Sequence, residues 1–198
     1  MRLLCIDACP RDQAVSRTYL LLTAFANAYR ALHPNNEIQT LRLADEGLAP
    51  FLHEDILHRE QLIDKGCLND AMFRWARDFQ SSDHIVVAAP YWDLSFPAVL
   101  KLYIENIFVR NLTFRYTAEG VPVGLCLGKR LLYLTTAGSP IGTEDWGFLY
   151  IRAVASMLGV KAFDRISAEG LDIIGWDSQK ILQNALEQAK RAAQGFGL

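Results

Sequence analysis

A loop rich in hydroxyl, guanidinium and thiol groups follows the first apolar run of the chain: Asp7-Ala8-Cys9-Pro10-Arg11-Asp12-Gln13-Ala14-Val15-Ser16-Arg17-Thr18. It leads from a predicted strand straight into a predicted helix start, where free N–H groups and the positive end of the peptide dipoles collect. With the hydroxyls of Ser16 and Thr18 and a guanidinium from Arg11 or Arg17, those groups would surround one phosphate. The same residues would equally make a plain N-cap at Ser16 with solvated arginines. No glycine precedes Gly47, so the dinucleotide fingerprint and the P-loop, which need glycines for close backbone approach to phosphates, have no place here. A single terminal phosphate fits better.

Two further loops could complete a site. Pro90-Tyr91-Trp92-Asp93-Leu94-Ser95-Phe96-Pro97 follows the most apolar run and carries three aromatics that would flank a flat ring system or simply pack a strand-to-helix turn. Thr135-Thr136-Ala137-Gly138-Ser139-Pro140-Ile141-Gly142 is built of small residues, so its backbone N–H groups could meet a polar ring edge; it also reads as an ordinary turn.

Other chemistries fail on spacing. His53 and His58 are one residue too far apart for H-E-x-x-H, and about 100° per residue turns them to different helix faces, so no zinc site is expected. Gly138-Ser139-Pro140-Ile141-Gly142 has its serine one place early for a nucleophile elbow. Cys5 to Arg11 matches the C-x5-R spacing of cysteine phosphatases, but Cys5 falls inside the apolar strand, where burial keeps a thiol protonated. Cys9 is better placed on the loop and has Val15 where the arginine would be needed.

Positioning these loops requires a regular frame. Leu3–Ile6, Ile38–Leu43, Ile85–Ala89, Leu131–Thr135 and Ala162–Ile166 read as strands. Between them lie helical stretches from Ser16 to about Leu32, from about Glu54 to Phe79 with Gly66 a candidate break, from Pro97, and from Trp146 to Leu158 ending at Gly159; a last one starts at Ser178. Strands joined by helical crossovers imply an α/β fold, a doubly wound five-stranded parallel sheet with helices on both faces. In such sheets a ligand sits beyond the carboxyl ends of the strands, where the strand order reverses, and all three loops lie there. No repeat, low-complexity tract or linker marks a boundary, so a single domain over 1–198 is expected.

Composition narrows the partners. The 198 residues are 51% hydrophobic and 21% charged, ordinary globular proportions that exclude a disordered or collagen-like chain. Twenty Lys+Arg against 22 Asp+Glu leave a charge of −2, too balanced to draw nucleic acid or an anionic membrane, so an anion site must be local. No uncharged run reaches the roughly 18 apolar residues of a membrane span. Asp7 interrupts the first apolar run, so no signal-peptide core is seen and a cytoplasmic setting is expected. Four cysteines are too few for a disulfide scaffold of this length and read as reduced thiols.

Taken together the loops resemble the FMN-dependent NADH-azoreductases and related NAD(P)H:quinone oxidoreductases of flavodoxin-like fold. Leu112-Thr113-Phe114-Arg115-Tyr116-Thr117, followed by Glu119-Gly120, Gly124-Leu125 and Gly128-Lys129, is similar to that family's T-F-R-Y-T…G-L…G-K stretch. Pro90-Tyr91-Trp92-Asp93-Leu94 resembles its P-M-Y-N-F loop, Leu100-Lys101 its L-K helix, Thr135-Thr136-Ala137-Gly138-Ser139 its T-S-R-G-G loop, and Ser16-Arg17-Thr18 its S-x-S phosphate element; Ala168-Glu169-Gly170 also recurs. The resemblance implies that Cys9, Arg11, Ser16, Arg17 and Thr18 surround an FMN phosphate, that Pro90, Tyr91, Trp92, Asp93 and Leu94 border the isoalloxazine, and that Thr136, Ala137, Gly138 and Ser139 meet its pyrimidine side. Cys9, Asp93, Ala137 and Ser139 stand where the family usually has serine, asparagine, arginine and glycine.

The resemblance further implies NADH or NADPH as donor, a quinone-like or azo-like flat acceptor, two-electron ping-pong transfer centred on the flavin, and a homodimer. Tyr116 would be a substrate contact or a packed surface aromatic. Two other readings use the same features. A flavodoxin-like electron carrier would normally be strongly acidic, unlike this chain. A non-catalytic flavin-binding or regulatory module is favoured if Asp93, Ala137 and Ser139 close the pocket.

Overall fold

The computed structural model describes residues 1–196. Five strands, β1 (Arg2–Asp7), β2 (Glu37–Arg42), β3 (His84–Ala88), β6 (Arg130–Thr136) and β7 (Ala162–Ala168), form one wholly parallel sheet in the order β2-β1-β3-β6-β7. The chain leaves β1 toward one edge and returns at β3 on the other side, so the loops after these two strands diverge and open a crevice between them.

Strand alternation assigns the two cores. Leu3 and Cys5 of β1, Val86 and Ala88 of β3, and Leu132 and Leu134 of β6 face α1 (Arg17–Leu32) and α6 (Ser178–Ala192), whose Leu21, Leu22, Phe25, Tyr29, Ala185 and Ala189 are buried against them. Leu4, Ile6, Ile85, Val87, Leu131 and Tyr133 point the other way, onto α3 (Arg74–Ser81), α4 (Ala98–Ile107) and α5 (Trp146–Leu158). The three central strands β1, β3 and β6 are therefore buried on both faces, which is why they read as continuous apolar runs.

One segment breaks where the sequence offered a candidate break, and another forms an element the sequence did not show. The helical stretch 54–79 divides into α2 (His53–Asp64) and α3, because Gly66 takes φ +70° and Asp70 accepts from Met72 N to start a separate 3-10 turn. The segment from Phe114 to Gly124 forms a short antiparallel hairpin of β4 (Phe114–Tyr116) and β5 (Pro122–Gly124), too brief for alternation to reveal. It docks through bare backbone: a Cβ on Gly124 would lie 2.2 Å from Gly159 N, at the left-handed cap of α5. Among the described residues no helix is long and apolar enough to cross a membrane.

At the opposite end of the sheet from the crevice, His84 is 3% exposed, packs on the Phe196 ring, and has no hydrogen-bond partner for either ring nitrogen among the described residues. Burial pushes its pKa below the ordinary value, with Lys129, Arg130 and His33 acting in the same direction and Asp83 opposing. The unfolded chain thus takes up a proton near pH 6.5 that the folded one resists, so stability is expected to fall as pH drops from about 7 to about 5. Thermal unfolding across that range should show a shallower fall for His84→Phe; equal slopes would refute the assignment.

Candidate active site

The phosphate-sized end of the crevice is built by β1, its loop and the start of α1. Asp7, fully buried at the end of β1, accepts from Cys9 N at 3.0 Å and from Gln13 Nε2 at 3.3 Å, folding the loop back on itself. Asp12 Oδ1 accepts from Ala14 N at 2.8 Å and turns the chain toward Ser16. Ser16 caps α1, its Oγ accepting from Tyr19 N at 3.2 Å, which leaves the hydroxyl proton to donate. The first-turn N–H groups of Arg17 and Thr18 reach no acceptor among the described residues. Thr18 Oγ1 and Thr136 Oγ1 are buried and 2.6 Å apart, so one hydroxyl satisfies the other and a proton remains for a ligand.

The two arginines differ. Arg17 Nη2 donates to Asp172 Oδ1 at 2.9 Å and Nη1 to the Leu171 carbonyl at 3.3 Å. Arg11 is exposed and has no ion-pair partner among the described residues, so it is the guanidinium free to meet an anion. The thiols take no part as nucleophiles: burial pushes Cys5 up to about 12, and burial together with Asp7 holds Cys9 protonated as well.

The other end is made by the loops after β3 and β6. Tyr91 N donates to the Thr136 carbonyl at 2.9 Å, tying the two loops side by side. Trp92 and Ser95 pair across a tight turn in which Asp93 has φ 49° and Leu94 has φ 66°. Positive φ at both central residues is the primed hairpin geometry, tolerable for aspartate and costly for leucine. Asp93 and Leu94 consequently sit at an exposed tip, while Trp92, 41% exposed, stays at the crevice wall.

In the loop after β6, Ala137 is buried, with its N–H spent on the Ala168 carbonyl and its own carbonyl accepting from Leu171 N. Of the backbone N–H groups at 136–139 expected to face a ring, Thr136 belongs to the end of β6 and Ala137 is spent, while those of Gly138 and Ser139 lack an acceptor among the described residues. Gly138 leaves room for a neighbour: a Cβ there would lie 2.4 Å from Asp172 Oδ2 and would displace that carboxylate.

One pocket brings together Cys9, Arg11, Ser16, Arg17, Thr18, Pro90, Tyr91, Trp92, Thr136 and Gly138. Asp93, Leu94, Ala137 and Ser139 do not line it, and Tyr116 lies out on β4, half exposed and edge-on to Phe114. Asp93, Ala137 and Ser139 therefore leave the pocket open. Pro10 and Asp172 join the lining without having been singled out in the sequence. Nothing local marks Asp172; it arrives because Asp172 N pairs with the Gly138 carbonyl at 3.0 Å.

Behind this wall is a polar brace the sequence also concealed. Arg165 donates to Asp145 at 2.7 Å and to Glu169 at 3.1 Å; Asp145 caps α5 through Phe148 N, and Glu169 accepts from Ser167 Oγ and Ile141 N. These bonds fix the loop 137–145 at both ends. Burial, with Asp145 and Glu169 nearby, raises the Tyr91 hydroxyl above its usual range, so it stays neutral and available as a donor.

The pocket thus offers convergent donors at one end and an aromatic wall beside unpaired backbone N–H groups at the other. No side chain in it is an activated nucleophile, and among the described residues no cluster of metal-ligating groups occurs. The arrangement suits a bound redox group whose own chemistry does the work.

Comparison with known proteins agrees. Residues 1–193 match the family model described as flavodoxin-like fold. The chain is 38% identical over 200 residues to an FMN-dependent NADH:quinone oxidoreductase 2 of Clostridium acetobutylicum, covering 98% of this chain and 99% of that one. It is 35% identical, with the same coverage, to an FMN-dependent NADH:quinone oxidoreductase of Caldicellulosiruptor saccharolyticus. Among solved structures, an FMN-dependent NADH-azoreductase from Bacillus anthracis in complex with FMN superposes with a TM-score of 0.85 at 26% identity, covering 100% of this chain and 99% of that one.

Proposed function

Because the chain belongs to the family of flavodoxin-like fold matched over residues 1–193, we propose that its crevice holds one FMN and that it is an NAD(P)H:acceptor oxidoreductase for quinones, azo compounds or similar flat molecules. The observation that carries this reading is the donor set around one anion: the Ser16 hydroxyl, the free N–H groups of Arg17 and Thr18, and the unpaired Arg11. It matches a monoester phosphate, and its lack of glycines argues against a pyrophosphate.

When bound, FMN supplies two-electron transfer between a nicotinamide and an acceptor. The chain's own residues orient and tune it. Tyr91 and Trp92 would border the ring, and the unpaired N–H of Gly138, on the pocket wall, would stabilise negative charge at its pyrimidine edge. The Arg165 brace keeps that edge fixed, so the donors need no rearrangement as charge develops. A ring seated against the loops after β3 and β6 would leave one face open beside Trp92, and donor and acceptor would then bind in turn rather than together. The two other readings are weaker: a charge of −2 does not suit an electron carrier, and the open pocket does not suit a module that has lost its flavin.

The test is the freshly purified protein: its absorption spectrum should be that of a flavoprotein, and the extracted group should run as FMN on chromatography. Recovery of FAD alone, or no saturable FMN binding on reconstitution, would remove the reading.

We further propose a single domain over 1–198 that works as a homodimer in the cytoplasm, where a nicotinamide donor and four free cysteines are at home. Leu52, Ile56 and Leu57 around α2 and Tyr150 on α5 are exposed, and Phe51, Ile56, Phe108, Tyr150 and Val154 line one apolar groove. Light scattering should report twice the 22.3 kDa chain mass. A fully active monomer at micromolar concentration would contradict the dimer.

A further inference from the structure

We propose that Asp172 is a specificity determinant that competes with the flavin phosphate for Arg17, setting how tightly FMN is held; the inference rests on the FMN reading above. Asp172 lines the same pocket as Ser16, Arg17 and Thr18 and is, among the described residues, the only carboxylate that does. A carboxylate in an anion pocket is electrostatically adverse, so its presence calls for a role.

Its placement supplies one. The Asp172 backbone is locked, with its N–H on the Gly138 carbonyl at 3.0 Å and the neighbouring Leu171 N–H on the Ala137 carbonyl at 3.1 Å. Its Oδ2 occupies the space a Cβ on Gly138 would need, so bare backbone at Gly138 is what admits the carboxylate. Oδ1 then takes Arg17 Nη2 at 2.9 Å. The backbone that carries the short Asp172 side chain is thus fixed to the ring-side loop, whereas Arg17 is a long side chain on the phosphate-side helix, tied besides only to the Leu171 carbonyl at 3.3 Å. Of the two, the guanidinium is the one free to turn.

The pair is weak enough to exchange. The side chains are 33% and 66% exposed, and ion pairs that open to water contribute little. A phosphate dianion seated on the Ser16 hydroxyl and the first-turn N–H groups offers Arg17 more charge and more acceptor oxygens than Asp172 does. Binding FMN therefore breaks one ion pair to make another, and affinity falls by what the first was worth. Riboflavin, which lacks the phosphate, makes no demand on Arg17 and is indifferent to the exchange.

Fluorescence titration of the flavin-stripped protein with FMN and with riboflavin tests this. Asp172→Asn keeps shape and the backbone N–H and removes the charge. It should tighten FMN about three- to fivefold and leave riboflavin unchanged within error, with circular dichroism unchanged. In an Arg17→Ala background the same substitution should gain less than about twofold, because the competition has lost its object. Weaker FMN binding, an equal change for both ligands, or a full gain without Arg17 would overturn the proposal. If neither flavin binds the unsubstituted protein saturably, the FMN reading itself fails and the inference falls with it.

Discussion

Replacing Ser16 and Thr18 together by Ala is expected to weaken FMN binding by about 2 to 4 kcal/mol, about 30- to 1000-fold, while riboflavin affinity barely changes. Each hydrogen bond to a charged group is worth about 1.5 to 3 kcal/mol, and the two losses should not add fully, because Thr18 is already bonded to Thr136 at 2.6 Å. Ser16→Ala also removes the cap on Tyr19 N, at about 1 kcal/mol of stability. That cost falls on the fold and not on the phosphate, so thermal melts of the flavin-free protein separate it from the affinity loss. Thr18→Ala leaves the buried Thr136 hydroxyl without its partner, and Thr18→Ser should restore most of the binding. Equal loss of FMN and riboflavin would mean that these hydroxyls do not meet the phosphate.

NADH or NADPH, added to the flavin-loaded protein without an acceptor, should bleach its visible absorption, and a quinone should then restore it. If both must stack on one face between Trp92 and the loop at 137–139, they exclude each other, and initial rates at several acceptor concentrations should give parallel double-reciprocal lines. Intersecting lines would mean a ternary complex and a roomier site. Failure of both nicotinamides with flavin fully bound would favour the electron-carrier or regulatory readings. Asp93 bears on the same experiment. Its carboxylate sits at an exposed tip with φ 49°, a conformation asparagine also tolerates, so Asp93→Asn preserves the turn. Asp93 is outside the pocket lining but next to Trp92 on the pocket wall, so removing its negative charge should raise the flavin midpoint potential only modestly, since an exposed charge is screened. No rise would mean that the carboxylate does not sense the flavin.

Part of the site was legible because its signals are local. Ser16 as a cap follows from the residue type and the helix that begins after it, and Trp92 at the crevice wall follows from a loop at the carboxyl end of an apolar strand. Gly138 was read as loop flexibility, whereas its bare backbone also leaves room for Asp172, 34 positions further along the chain. Ala137 and Ser139 flank it, but Ala137 is buried by its bonds to Ala168 and Leu171 while Ser139 is exposed. A linear reading of the loop assigns all three the same role.

By itself the sequence determined the five-stranded doubly wound frame, because strand and helix periodicities report burial within a few residues of each position, and it determined that any anion site must be local, because net charge is a property of composition. The absence of early glycines argued for one phosphate and not two at the first loop, an expectation the FMN and riboflavin titrations address. Only the tertiary structure decided which of two arginines is free. Arg17 meets Asp172, 155 residues away, and Thr18 meets Thr136, 118 away. It likewise decided that Arg165, Asp145 and Glu169 brace the ring-side loop. Such contacts depend on strand order and ladder register, which arise from packing the whole sheet between its two helical layers, and no spacing along the chain encodes them.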